Sequence, residues 1–254
     1  MSNKIKQEFQ TKQEPVRLNK FLSEAGVCSR READKLIESG QVMIDGKKAE
    51  TGTKVFPGQI VKVGRKVVSR QDEMVVLAVN KPVGIVCTEE KREKNNIIKF
   101  LNYPIRVTYI GRLDKDSRGL LLMTNNGDII NKMMRAGNLH EKEYKVTVDK
   151  EITPIFLKKM SEGVAILDTV TRPCKVEKLG KYTFSIILTQ GLNRQIRRMC
   201  EALGYKVRDL QRVRIMNIKL KGLKEGQYRK LTDEELNHLY EQIKDSSNTP
   251  VWPA

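Results

Sequence analysis

The chain has 254 residues, with 48 Lys and Arg against 31 Asp and Glu and a formal net charge of +17. That length allows one domain of moderate size plus a smaller one. The cationic excess points to a polyanionic partner, nucleic acid first and an anionic membrane surface second. Up to Ser69 the chain holds 14 basic and 8 acidic residues, and after it 34 and 23, so the charge is not confined to a tail. Cys28, Cys87, Cys174 and Cys200 lie far apart, and neither His140 nor His238 has zinc-ligand spacing to any of them. No metal site is expected, and four reduced thiols suit the cytoplasm. The first fifteen residues lack the apolar stretch of a signal peptide, and no apolar run approaches the roughly 20 residues of a membrane span. A soluble protein with no membrane partner is expected.

Residues 1–14 are polar and expected to be a flexible tail. Leu18, Phe21, Leu22 and Ala25 then recur at helical spacing, and Gly26 has the place of a helix-ending C′ glycine. Ser29-Arg-Arg-Glu32 is a capping box that opens a second helix with Ala33, Leu36 and Ile37 inward. Asp45-Gly46 is a two-residue hairpin signal, and Ile60–Val63 is a further short strand. Arg17, Lys20, Arg30, Arg31 and Lys35 ride on the helices. Arg17-Leu-Asn-Lys-Phe-Leu22, Ser29-Arg-Arg-Glu-Ala-Asp34 and Gly40-Gln-Val-Met-Ile-Asp-Gly46 together resemble the S4 RNA-binding domain. Cations on adjacent helices can track a phosphate backbone, although any one of them could equally belong to a solvated helix face. The S4-like domain is placed at 15–69, with 64–73 polar and read as a linker reaching to 73.

The larger domain is expected over 74–243, with 244–254 as a second flexible tail. Met74–Val79 reads as a buried strand followed by Asn80-Lys-Pro-Val-Gly84, and Ile97–Leu101 as a short helix. Arg106–Ile110 can be extended, and Gly119–Thr124 is an internal strand ending in Asn125-Asn-Gly127. A helix over 128–135, a strand over 143–148 and a helix begun by Thr153-Pro154 and ended by Gly163 follow. Then come a strand over 182–188, a helix over 193–203, an extended 214–220 and a last helix capped by Thr232-Asp-Glu-Glu235. Strands and helices mix without steady alternation, which predicts an α+β fold with a mixed, mostly antiparallel sheet. No glycine-rich phosphate loop occurs.

Asp114 is the residue of chemical interest. It stands among Arg112, Lys115 and Arg118, directly after Leu113, and those charges favour its ionised form. On its own it could be a nucleophile, a base or half of a loop ion pair. Asp114-x-Asp116 could also be a metal-binding pair of a nuclease, but in an extended segment the two side chains would point to opposite faces. Arg194, Arg197 and Arg198 share one helix face, with Ile196, Met199 and Leu203 toward the core.

Gly111-Arg-Leu-Asp-Lys-Asp-Ser-Arg-Gly-Leu-Leu-Leu-Met-Thr124 resembles the catalytic motif of pseudouridine synthases of the RsuA/RluB/RluE/RluF group. Lys81–Gly84, His140-Glu-Lys-Glu-Tyr144 and Gly191-Leu-Asn-Arg-Gln-Ile-Arg-Arg-Met-Cys-Glu201 resemble its other motifs. With the S4-like part, the likeness covers about 15–240. It implies Asp114 as nucleophile toward C1′ or C6 of a flipped uridine, Tyr144 packed on the base, and Arg197 as the ion-pair partner of Asp114. It further implies RNA contacts at Arg112, Leu113, Lys115, Arg194, Gln195, Ile196 and Arg198. The reaction it implies is an isomerisation that needs no cofactor.

The last two motifs and Arg214-Ile-Met-Asn217 look most like the branch acting on large-subunit ribosomal RNA, with tRNA left open as a substrate. His140 reads as structural or solvent-exposed. A monomer with no obligate protein partner is expected. The rival reading is a non-catalytic S4-type RNA-binding protein of ribosome assembly.

Overall fold

The chain is described by a computed structural model over residues 14–69 and 74–246. The expected tail before Glu14, the linker end at 70–73 and the tail from 247 on lie outside the described residues. Two compact units form. One holds the described residues up to Val75 with Tyr103–Val107 and Thr124–Gly127; the other holds Val76–Asn102, Thr108–Met123 and the residues from Asp128 onward.

In the first unit, strand β1 (Val16–Arg17) leads into helix α1 (Leu18–Glu24), and Gly26 ends it at φ 78°. Helix α2 (Arg30–Glu38) starts with both halves of the capping box made. Ser29 Oγ accepts from Glu32 N at 3.3 Å, and Glu32 Oε2 accepts from Ser29 N at 3.0 Å. Strands β2 (Val42–Ile44) and β3 (Lys47–Lys48) flank Asp45 and Gly46, whose φ values of 51° and 79° make the tight turn that the Asp-Gly pair signals. Strand β4 (Lys54–Val55) pairs with β1, while β5 (Val61–Val63) pairs with β2. Leu18, Leu22, Ala33, Ile37, Val42 and Val61 are buried at the centre of the core that the helices and sheet share. One expectation is corrected: Lys66–Val68, read as linker, is strand β6, the fourth strand of this sheet in the order β3-β2-β5-β6. Val67 on this edge strand is 64% exposed, so no buried alternation marks the strand.

The second unit is built on a larger sheet. Its elements in chain order are β7 (Val76–Lys81), α3 (Ile97–Leu101), β8 (Thr108–Ile110), β9 (Arg118–Thr124), α4 (Gly127–Met134), β10 (Lys142–Val148) and α5 (Pro154–Glu162). The small hairpin β11 (Ala165–Ile166) and β12 (Thr169–Val170) follows, then β13 (Lys175–Gly180), β14 (Thr183–Leu188), α6 (Gln195–Ala202), β15 (Val207–Ile215), β16 (Ile218–Lys219), β17 (Tyr228–Lys230) and α7 (Asp233–Ile243).

The main sheet runs β13-β14-β10-β15-β9-β7-β17, with β16 on β15 and β8 on β9. β15 lies parallel to β9, and β10, β13, β14, β16 and the β7–β17 pair are antiparallel. The fold is thus α+β with a mixed, mostly antiparallel sheet. Leu120, Leu121, Leu122 and Met123 are fully buried, as an unbroken apolar run on a central strand requires. Thr153 and Thr232 cap α5 and α7 as their motifs direct. β13 and all of β15 before Arg214 were not expected. β13 is a mostly exposed edge strand rich in Lys and Glu, and β15 places Arg208, Asp209, Gln211 and Arg212 in a strand that no simple alternation announces.

Candidate active site

The loop between β8 and β9 presents Asp114, and its backbone is held from several sides. Gly84 N donates to Lys115 O at 2.7 Å, and Leu113 N to the buried Cys87 Sγ at 3.4 Å. Ser117 N donates to Asp114 O at 3.1 Å, closing a turn. From β15, Arg212 reaches beneath the loop: Nε donates to Leu120 O at 2.7 Å, Nη2 to Gly111 O at 3.2 Å and Nη1 to Arg112 O at 3.4 Å. Arg212 is only 1% exposed. β15 runs so close to the loop's exit that a Cβ on Gly119 (φ 103°) would lie on the carbonyl oxygen of Arg212. Only glycine fits there. Lys81 anchors the base of the neighbouring segment, its buried Nζ donating at 2.8 Å to both Pro82 O and Ile85 O.

The arginines of the later motif are arranged differently from expectation. Arg197 does not pair with Asp114. Its Nη2 donates to the carbonyl of Asp116 at 2.7 Å and to Ser117 Oγ at 3.2 Å, and its Nε lies 3.3 Å from Asp116 Oδ2. Arg194 is the guanidinium nearest Asp114, with Nη1 3.7 Å from Oδ2. It also donates to both carboxylate oxygens of Asp116, at 3.0 and 2.9 Å. Those bonds, then Arg197, hold the Asp116 carboxyl below its ordinary range against the opposing effect of burial.

The loop is turned rather than extended at 114–117, so the two carboxylates share one arginine instead of pointing to opposite faces. The local bond from Ser117 N to Asp114 O closes the turn, and Gly84 and Arg197 brace it from elsewhere in the fold, which spacing alone could not show. Arg194 itself sits in the left-handed region at φ 50° as the N-cap of α6, a conformation that non-glycine residues adopt mainly where surroundings enforce it.

A cavity of about 340 Å³ opens beside Asp114, and Tyr144, Arg112, Arg194, His140 and Lys142 line it together with apolar Leu188 and Leu210. Leu113, Gln195 and Ile196, expected to contact RNA, are buried and form part of the cavity wall. Gln195 is further tied down by accepting from Leu192 N at 3.0 Å. Arg112 and Lys115 are exposed, and Arg198 folds back to donate to Asn193 O and Oδ1.

His140, expected to be structural or solvent-exposed, borders the cavity. Its ring is 3.1 Å from Ser246 Oγ, and burial lowers its basicity. Sequence reasoning also passed over Lys142 and Arg212, whose burial depends on the pairing of β10 with β15. There the register shifts after Glu143, setting Tyr144 against Arg212. Burial first, and then Arg212, pull the Lys142 ammonium down to about 8.

In the amino-terminal unit Arg17, Arg30, Arg31 and Lys35 are exposed, and Lys20 pairs with Glu24 at 3.5 Å. Arg17, Lys20 and Arg30 share a surface hollow with Asn19. Among the described residues no three His, Cys, Asp or Glu side chains gather as a metal ion would need, and no helix is long and apolar enough to cross a membrane.

Comparison with known proteins gives a consistent answer. Residues 75–202 match the RNA pseudouridylate synthase family and residues 16–61 the S4 domain. Over 235 residues the chain is 55% identical to the dual-specificity RNA pseudouridine synthase RluF of Escherichia coli K12, covering 92% of this chain and 81% of that protein. It is 38% identical over 233 residues to ribosomal large subunit pseudouridine synthase B of Bacillus subtilis, covering 88% of this chain and 95% of that protein. A crystal structure of a pseudouridylate synthase superposes with a TM-score of 0.65 at 30% identity, covering 88% of this chain and 99% of that one.

Proposed function

Because the chain belongs to the RNA pseudouridylate synthase family and carries an S4 domain, we propose that it isomerises uridine in large-subunit ribosomal RNA with Asp114 as nucleophile. The observation that carries this reading is the Asp114 carboxylate, one-third exposed, on a loop whose backbone is held on each side, opening on a cavity with Tyr144 in its wall. Uridine enters flipped out of its strand and packs on the Tyr144 ring, which suits stacking. Asp114 engages C1′ or C6, the N1–C1′ bond breaks, the base turns, and C5 joins C1′. Atoms are only rearranged, so no redox partner or phosphate donor is required.

Arg194 is the charged neighbour of Asp114. Arg197 is a positioning residue that fixes the turn through Asp116 and Ser117. Arg112 and Lys115 face the strand, while the exposed cations of the S4 domain hold the wider RNA. The B. subtilis relative's name supports a large-subunit target. The E. coli relative's dual specificity motivates a second RNA, for which a tRNA stem-loop is the natural trial. A monomer acting in the cytoplasm without an obligate protein partner completes the reading. A non-catalytic assembly protein does not fit membership of an enzyme family.

The test is pseudouridine mapping on large-subunit fragments and tRNA transcribed in vitro. Wild-type protein should convert a ribosomal uridine, and Asp114→Asn should bind the same RNA with no product. Wild-type protein that modifies neither RNA, or an active Asp114→Asn, would overturn it.

A further inference from the structure

Lys142 is a cation of the cavity that none of these roles employs. Lys142 stands two residues before Tyr144 on β10, and both line the cavity that Asp114 borders. Among the described residues no carboxylate lies within ion-pairing distance of Lys142. Its Nζ makes only a long bond of 3.4 Å to the carbonyl of His140. Buried Lys81 is the contrast, with two bonds of 2.8 Å fixing its ammonium to main-chain carbonyls. Lining the same cavity are the cations Arg112, Arg135, Arg194 and Arg212, the rings of His140 and Tyr144 and, among the described residues, a single carboxylate, Asp114. Burial first, and then the Arg212 guanidinium, draw the Lys142 amine down to about 8, so roughly a tenth of it is neutral at pH 7. A neutral amine accepts a proton, which a solvated lysine cannot do at that pH.

The isomerisation needs an acceptor. C5 of uridine carries a hydrogen and C5 of pseudouridine does not, while N1 must gain one. We propose that Lys142 is the base that removes the C5 proton from the rejoined uracil and delivers it to N1. When Asp114 engages C1′, the C5–H pair becomes the C5=C6 double bond, the N1=C6 π pair moves to N1, and N1 takes the proton from the new ammonium. When Asp114 engages C6, the same C5–H pair forms C5=C6 and expels the carboxylate. Either way one proton travels from C5 to N1 and the amine is regenerated. This rests on the reading that uridine is isomerised in this cavity.

The experiment compares wild type, Lys142→Met and Lys142→Arg on a large-subunit transcript carrying hydrogen or deuterium at uracil C5. Loss of a general base should slow turnover at saturating RNA by about 100-fold or more in both variants. Residual turnover should show a primary isotope effect larger than that of wild type. Wild-type kcat should rise with pH through the region near 8, and that limb should vanish in the variants. The isotope effect is internal to each enzyme, so a reduced folded fraction does not disturb it. If Lys142→Met fails to fold, Lys142→Arg decides. Rescue by Lys142→Arg, or a raised KM with an unchanged isotope effect, identifies a phosphate-holding cation instead and overturns the proposal. A wild-type protein that forms no pseudouridine defeats the functional reading itself, whereas active wild type with insensitive Lys142 variants defeats only the assignment of Lys142.

Discussion

In the amino-terminal unit Arg17, Arg30, Arg31 and Lys35 stand exposed on helices α1 and α2 or at their edge, whereas in the second unit Arg212, Lys81 and Arg197 turn inward and donate to main-chain carbonyls. The same residue types therefore do two kinds of work. An exposed cation attracts phosphate through water and is screened by salt. A buried cation has already lost its hydration, and it repays that loss only where several acceptors meet it at fixed geometry. Basic composition alone cannot distinguish the two. The contrast predicts that losing an inward cation damages structure and turnover, and losing an outward one damages salt-sensitive affinity.

Arg212→Met is the most severe way to test the inward class. It removes the donors of Leu120 O and Gly111 O, at 2.7 and 3.2 Å, and each buried carbonyl left without a partner costs about 1–3 kcal/mol. A loss of roughly 3 kcal/mol corresponds to a fall in melting temperature of about 6–12 °C for a domain of this size. Pseudouridine formation should be lost even at temperatures where the variant is still folded, since Gly111 and Arg112 lead directly into Asp114. A variant that melts like wild type would show that Arg212 does not carry the loop, and the contrast would fail at its strongest point.

What was legible beforehand was local. Ser29 with Glu32, Asp45-Gly46, Thr153-Pro154 and Thr232 with Glu235 each bond within a few residues, so sequence motifs specify them and the structure contains them. The long apolar run of β9 was equally plain. Strands β6 and β13 were missed because edge strands bury little and show no alternation. The partner of Asp114 was missed for a different reason. Arg194 and Arg197 are one turn apart, and the choice between them depends on how the turn at 114–117 is braced from elsewhere in the fold. Lys142 and Arg212 lie on β10 and β15, whose pairing is tertiary and leaves no local motif in the sequence.

A milder test addresses the outward class. Arg30→Gln combined with Arg31→Gln should weaken RNA binding and make its salt dependence shallower, by about one unit of slope for each phosphate no longer neutralised. The deficit should appear in KM rather than kcat, and melting should be almost unchanged because both side chains are exposed. Filter binding across a salt series checks it. An unchanged slope would remove these two cations from the RNA-facing surface and confine the electrostatic work to the second unit.

The smallest effect is the most discriminating, because Asp116 lies between the two classes: half exposed, yet bonded to Arg194. Arg194 holds its carboxyl below the ordinary aspartate value of 3.8. A depressed carboxyl contributes stability above the unfolded value and loses it as pH falls through the lower folded one. Solvent screening limits that contribution to at most about 1 kcal/mol. Asp116→Asn should therefore lower the melting temperature slightly at neutral pH, with the difference closing in acid below the ordinary aspartate range. A carbon NMR titration should find Asp116 below its ordinary value in wild type and displaced upward in Arg194→Gln. If Asp116 titrates normally while Arg194 is present, the pair is not formed in solution. If it titrates low, and Asp116→Asn nevertheless costs far more turnover than stability, then the pair acts on geometry: Arg194 stays beside Asp114 because Asp116 keeps it there.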